Sequence, residues 1–189
     1  MPCVYVALLL FLFFSTVSHS KEIEISGVAV IDLDDPAGWV LEKDSTGQGC
    51  IVLARKEEAN KVPTMRICAQ EKGGTLAAKE FGFYFEDARW KVGGAFGTYD
   101  VQLVDLADKL ILKSVVDCGV EQDGIHHAAA GYCFRAMVFG ERASVSIEAS
   151  SVGQAMTAVE RIVPRIRPKL PLSKISRDEI VKGIGAAVD

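Results

Sequence analysis

Leu110-Ile-Leu-Lys-Ser-Val-Val-Asp-Cys118 and Tyr132-Cys-Phe-Arg-Ala-Met-Val-Phe139 face each other across the turn signal Glu121-Gln-Asp-Gly124. Both runs are rich in β-branched and aromatic residues and are bounded by glycine and polar turn chemistry, which is the pattern of an antiparallel strand pair. Pairing the two runs sets Cys118 near Cys133. The same pattern occurs earlier: Gly49 to Arg55 and Thr64 to Ala69 read as strands around the charged turn Lys56-Glu-Glu-Ala-Asn-Lys-Val-Pro63, with Cys50 opposite Cys68. Four cysteines allow three pairings by count alone. The strand pattern selects Cys50–Cys68 and Cys118–Cys133.

Disulfides require an oxidising compartment, and the N-terminus supplies a route to one. Val4 to Phe14 is an almost unbroken apolar run, followed by Ser15-Thr-Val-Ser-His-Ser20. Ser18 and Ser20 fit the small-x-small cleavage pattern, and the run is short for a bilayer span, so residues 1–20 read as a secretory signal peptide. Met1-Pro-Cys carries no Lys or Arg, an atypical feature for such a segment. Removing it leaves Cys50, Cys68, Cys118 and Cys133. No CxxC or close Cys/His spacing argues for zinc, so neither a metal nor any other cofactor is expected. Localisation is expected to be secreted or periplasmic, with no stable membrane span after cleavage.

Residues 21–167 then read as one globular domain, and residues 168–189 as a Pro-containing linker with a short C-terminal helix. Glu22-Ile-Glu-Ile-Ser26 alternates like a half-buried strand, and Val28-Ala-Val-Ile31 extends it past Gly27. Asp32 to Gly38 is a turn, and Trp39-Val-Leu41 begins another strand. Thr75 caps a short helix through Glu80. Phe81, Phe83 and Phe85 alternate along a strand. Gly93-Gly-Ala-Phe-Gly97 lacks the Lys-Ser/Thr of a phosphate loop and precedes the strand-like Tyr99 to Leu103, so it reads as a turn between antiparallel strands. Val145 to Ala149 closes the strand series. Ser151-Val-Gly-Gln154 has the form of a capping box opening a helix to Ile166, with Ala155, Met156, Val159, Ile162, Val163 and Ile166 on one stripe and Pro164 near its end. Pro168 and Pro171 stiffen the linker, and Ser176-Arg-Asp-Glu179 is a second capping box.

Runs of strands with few helices predict an α+β fold: a mostly antiparallel sheet, a long C-terminal helix packed on one face, and two disulfides. The order of elements resembles the small exported domains of the PsbP/Mog1 type, in architecture alone. No motif carries a functional residue across from it.

Formal charge is −4, with all charged residues beyond Ser20, and nothing forms the basic footprint of a nucleic-acid binder. Arg161, Arg165, Arg167 and Lys169 read as the solvated side of a helix and its exit. Asp34-Asp35 lacks calcium-loop spacing. The two histidines beyond the signal, His126 and His127, lie with Asp123 between the Cys118 and Cys133 strands. Neighbours on an extended chain point to opposite sides, so they do not readily share one ion. Catalysis through His126 or His127 as general base would need Asp123 or Asp117 and a nucleophile such as Ser114 or Ser144, none in a recognisable setting. Glu86-Asp87 and the pair Asp105 and Asp108 are the candidate carboxylate pairs, and Trp39, Trp90 and the Phe81 to Phe85 row are candidate pocket walls.

Three functions follow. The favoured expectation is a non-enzymatic binding protein, such as an immunity or inhibitor protein that blocks an enzyme or toxin, using Asp123, His126 and His127 toward a protein partner. The others are a small hydrolase and a carrier of an apolar ligand. N-terminal sequencing of the exported protein is predicted to return Lys21; a chain still starting at Met1 would overturn the signal-peptide assignment.

Overall fold

The computed structural model describes residues 21–33, 38–42, 49–55, 64–94, 96–122, 125–151 and 155–186. The strands are β1 (Lys21–Ile25), β2 (Ala29–Leu33), β3 (Trp39–Glu42), β4 (Cys50–Arg55), β5 (Thr64–Gln70), β6 (Phe83–Glu86), β7 (Arg89–Gly94), β8 (Gly97–Asp100), β9 (Gln102–Leu106), β10 (Lys109–Gln122), β11 (Ile125–Phe139), β12 (Ser144–Ser151) and β13 (Ile166–Pro168). The helices are α1 (Gly74–Glu80), α2 (Ala155–Ile162) and α3 (Lys174–Val181). The class is α+β and sheet-rich, with every described strand pair antiparallel.

A seven-stranded sheet in the order β3-β4-β5-β12-β11-β10-β9 forms the middle layer. Alternation sends its residues to two cores. Leu53, Met65, Ile67, Ile111, Phe134, Ala136, Val138, Val145 and Ile147 pack under the small sheet β1-β2-β13 and under α2. Leu110, Leu112, Val116, Met137 and Phe139 face the other way, against Phe83, Trp90 and Val92 of the sheet β6-β7-β8 and against Ala77, Ala78 and Ile180 of α1 and α3.

The expected long helix is absent. Ser151 is taken up by β12, opposite Tyr132, and α2 runs only from Ala155 to Ile162. Pro164 lacks an N–H and disfavours α geometry in the residue before it, so a 3-10 turn at Val163–Arg165 ends the helix and the chain becomes extended as β13. Val159, Ile162, Val163 and Ile166 are nonetheless buried in the first core. β13 pairs with β2, which ties Arg167 and Pro168 into a sheet rather than a linker, and Arg167 meets Glu22 at 2.7 Å and Asp32 at 2.9 Å.

Other boundaries also moved. Gly27, φ +73°, turns the chain back, so Ala29 to Leu33 pairs with β1 instead of extending it. Helix α1 begins two residues early, with Gly73 and not Thr75 as N-cap, and α3 begins after Ser173, whose hydroxyl accepts from the Ser176 N–H. Tyr99 to Leu103 splits at Val101 between β8 and β9, which belong to different sheets.

Helix α3 docks through buried Ile180, whose carbonyl accepts from the Trp90 indole N–H at 2.9 Å. At its other end the Glu141 carboxylate accepts from the Ser173 N–H at 2.6 Å and the Ser176 hydroxyl at 2.9 Å. These donors, the Ser173 N–H foremost, lower the Glu141 pKa below the ordinary carboxylate value. A lowered folded pKa contributes stability that is present above the unfolded value and lost as pH falls through the folded one. Acid should therefore release the start of α3, and Glu141→Gln should do so at neutral pH, read as a shift of the Trp90 indole N–H resonance. A Glu141→Gln spectrum superimposable on wild type at neutral pH would contradict this.

Candidate functional site

The layer β6-β7-β8 covers only the β10 and β11 side of the central sheet. The neighbouring strands β4, β5 and β12 leave a groove of about 730 Å³, within the range of ligand sites. Its floor follows the sheet register: Val52 stands opposite Arg66, Arg66 opposite Glu148, and Glu148 opposite Arg135, so one row crosses four strands with alternating charge at its centre. The Arg135 guanidinium lies 3.2 Å from Glu148 and 5.8 Å from the centre of the Phe81 ring, a pairing and a cation–π contact that fix its orientation. Beside this row Thr64 and Ser150 face each other at 3.4 Å. Gly93 and Gly94 of β7 form a wall. A Cβ at Gly94 would come within 2.6 Å of the Tyr99 ring, so glycine lets that ring close the wall, and the Tyr99 hydroxyl donates to Asp117.

Both expected disulfides are present on this same face. Cys50 pairs with Cys68, Cα atoms 4.1 Å apart, and Cys118 with Cys133, 5.0 Å apart. The first lines a smaller recess of about 260 Å³ that shares Arg66 and Glu148 with the groove and is bounded by Phe81 and Gln70. Cys133 lines the groove itself.

Beyond the Cys118–Cys133 bond, β10 and β11 continue as a two-stranded ribbon. Its register is Gly119↔Ala128, Val120↔His127, Glu121↔His126 and Gln122↔Ile125, after an irregularity between Asp117 and Gly119. Pairing of β12 stops at Tyr132 and pairing of β9 at Lys113, so among the described residues these four pairs have no further strand beside them. His126 and His127 thus lie in a strand and not a loop; Asp123 lies outside the described residues.

The other candidates are engaged elsewhere. Ser114, opposite Arg135, is buried and donates to the Asp100 carbonyl at 2.8 Å; buried Ser144 stands opposite Phe139. Neither is brought to the histidines. Lys91 contacts both Glu86 and Asp87, Arg177 pairs with Asp105, and Lys109 pairs with Asp108. Phe83 and Trp90 are core residues, and of the aromatic row only Phe81 borders the recess. Among the described residues no cluster of His, Cys, Asp and Glu could hold a metal, and no helix is long and apolar enough to cross a membrane.

No protein-family model matches the chain, and no curated protein matches its sequence. The chain is similar to a crystal structure from Bacteroides thetaiotaomicron VPI-5482, with 11% identity and a TM-score of 0.47 over 79% of this chain and 48% of that one. It spans about half the length of that protein.

The charged row was missed from the sequence because Arg66, Arg135 and Glu148 each look like a solvated strand residue, and only strand order unites them. Their exposure sets the expected energetics. Arg135 and Glu148 side chains are 33% and 46% exposed, so their pairing is screened by water. Glu148→Gln is predicted to lower stability by less than about 1 kcal/mol in urea unfolding; a loss of several kcal/mol would show a structural network instead of an open recognition surface.

Proposed function

We propose that this is a non-enzymatic binding protein of a secreted or periplasmic compartment, which engages a protein partner through the β10–β11 ribbon and the groove at its root. An immunity or inhibitor protein that blocks an enzyme or toxin is the biological form that fits best. The observation that carries this reading is the ribbon itself, four residue pairs reaching past the sheet with a disulfide at their base. A two-stranded ribbon is marginal in water on its own. A covalent clamp at its root lowers the entropy lost when it is ordered against a partner. The groove adds a polar, laterally supported surface next to that clamp, and the oxidising compartment that two disulfides call for agrees with the signal-like N-terminus.

The two disulfides provide the test because they enclose loops of similar length, 18 and 15 residues apart in sequence. Chain entropy assigns each roughly 3 kcal/mol of stability. Cys50→Ser/Cys68→Ser and Cys118→Ser/Cys133→Ser should therefore be destabilised alike. Under conditions where both remain folded, affinity for a partner purified from the extracytoplasmic fraction should fall only in the second pair. Equal affinities in the two variants would sink the assignment of binding to the ribbon.

A further inference from the structure

The sheet face that carries the groove also carries a bond that partner binding at the ribbon does not use. Alternation along β5 sets Arg66, Cys68 and Gln70 on one face, successively about 7 Å apart, and pairing sets Cys50 directly opposite Cys68. The Cys50–Cys68 disulfide thereby forms a wall of the recess of about 260 Å³, beside Arg66, Gln70, Ser146, Glu148 and Phe81. Both cysteines are half-buried there.

The two disulfides differ in the charge beside them. Thiol–disulfide exchange needs an attacking thiolate and a departing one, and a neighbouring cation favours both. Arg66 supplies that cation two residues from Cys68. Glu148, opposite Arg66, is paired with Arg135 at 3.2 Å, so the row holds two guanidinium groups to one carboxylate. At the other disulfide the residue next to Cys118 is Asp117, an acid that lines the groove together with Cys133, and Cys133 itself packs against the second core. A carboxylate there repels an incoming thiolate and disfavours a departing one.

We propose that the recess is a thiol–disulfide exchange site, at which a low-molecular-weight thiol opens Cys50–Cys68, with Arg66 stabilising the departing Cys68 thiolate, while Cys118–Cys133 stays closed. The incoming thiolate attacks Cys50 Sγ. The Cys50–Cys68 bond breaks as the mixed disulfide forms, and the electron pair leaves on Cys68. A second thiolate then attacks the first thiol's sulfur, which departs as a small-molecule disulfide, and Cys50 is left as a thiolate that takes its proton from water. The two thiols are oxidised and the protein disulfide is reduced, so no other co-reactant enters. The opened protein keeps the bond at the root of the ribbon, and the inference therefore goes beyond the partner-binding reading and does not depend on it.

Folded protein incubated with reduced glutathione, quenched with iodoacetamide at successive times and mapped by peptide mass spectrometry, tests it. Cys50 and Cys68 should be modified about tenfold faster than Cys118 and Cys133. Arg66→Gln should slow that opening several-fold and leave Cys118 and Cys133 unchanged, whereas a variant that merely unfolded would open both bonds alike. Arg66→Lys, which keeps the charge, should match wild type. The proposal is overturned if the two bonds open together, if Cys118–Cys133 opens first, if neither opens before the chain unfolds, or if Arg66→Gln opens as fast as wild type. None of these results bears on the affinity comparison between the cysteine variants.

Discussion

The antiparallel pairing of β10 with β11 is the constraint on which the remaining structure depends. From Ile111↔Val138 to Val116↔Cys133 it fixes which side chains enter which core. Ile111, Phe134, Ala136 and Val138 go to the layer of β1, β2, β13 and α2; Leu112, Val116, Met137 and Phe139 go to the layer of β6, β7, β8, α1 and α3. A slip of one residue would exchange the two sets and put Arg135 into the first core. The pairing is also what places Arg135 beside Glu148 and brings Cys118 to Cys133.

The layer that covers one face stops short of β4, β5 and β12. There the residues change from apolar to Thr64, Arg66, Glu148 and Ser150, so the same register that builds the second core builds the floor of the groove. Past the sheet, the hairpin has no strand on either side among the described residues, and the Cys118–Cys133 disulfide stands at its root. The groove wall and floor are held by packing, Phe81 on Arg135 and Tyr99 on Gly94.

Much of this was legible in the sequence where local chemistry acts alone. Alternation flanked by turn residues marked the β4–β5 and β10–β11 hairpins, and the hairpins in turn selected both disulfides. Three features escaped because they depend on distant partners. Periodicity from Ala155 to Ile166 favoured a long helix, yet Ile166 finds Ile31 across a sheet edge after Pro164 breaks the ladder. Helix α3 takes its start from Ser173 and from Glu141, which comes from another part of the chain. The groove row draws on residues from β4, β5, β12 and β11, each ordinary by itself. The strand that carries the histidines gives little signal in the sequence, because Ala128-Ala-Ala-Gly131 has weak strand propensity.

Amide hydrogen exchange along β10 and β11 tests the central relation between sheet, clamp and ribbon most directly. In the oxidised protein, amides of the six pairs from Ile111↔Val138 to Val116↔Cys133 should exchange slowest, and the hydrogen-bonded amides of the ribbon pairs from Gly119↔Ala128 to Gln122↔Ile125 should be protected to a lesser degree. In Cys118→Ser/Cys133→Ser the first set should keep its protection while the ribbon amides exchange at near-unfolded rates. Ribbon amides that stay protected without the disulfide would contradict the account, for the ribbon would then hold its shape without the clamp assigned to it.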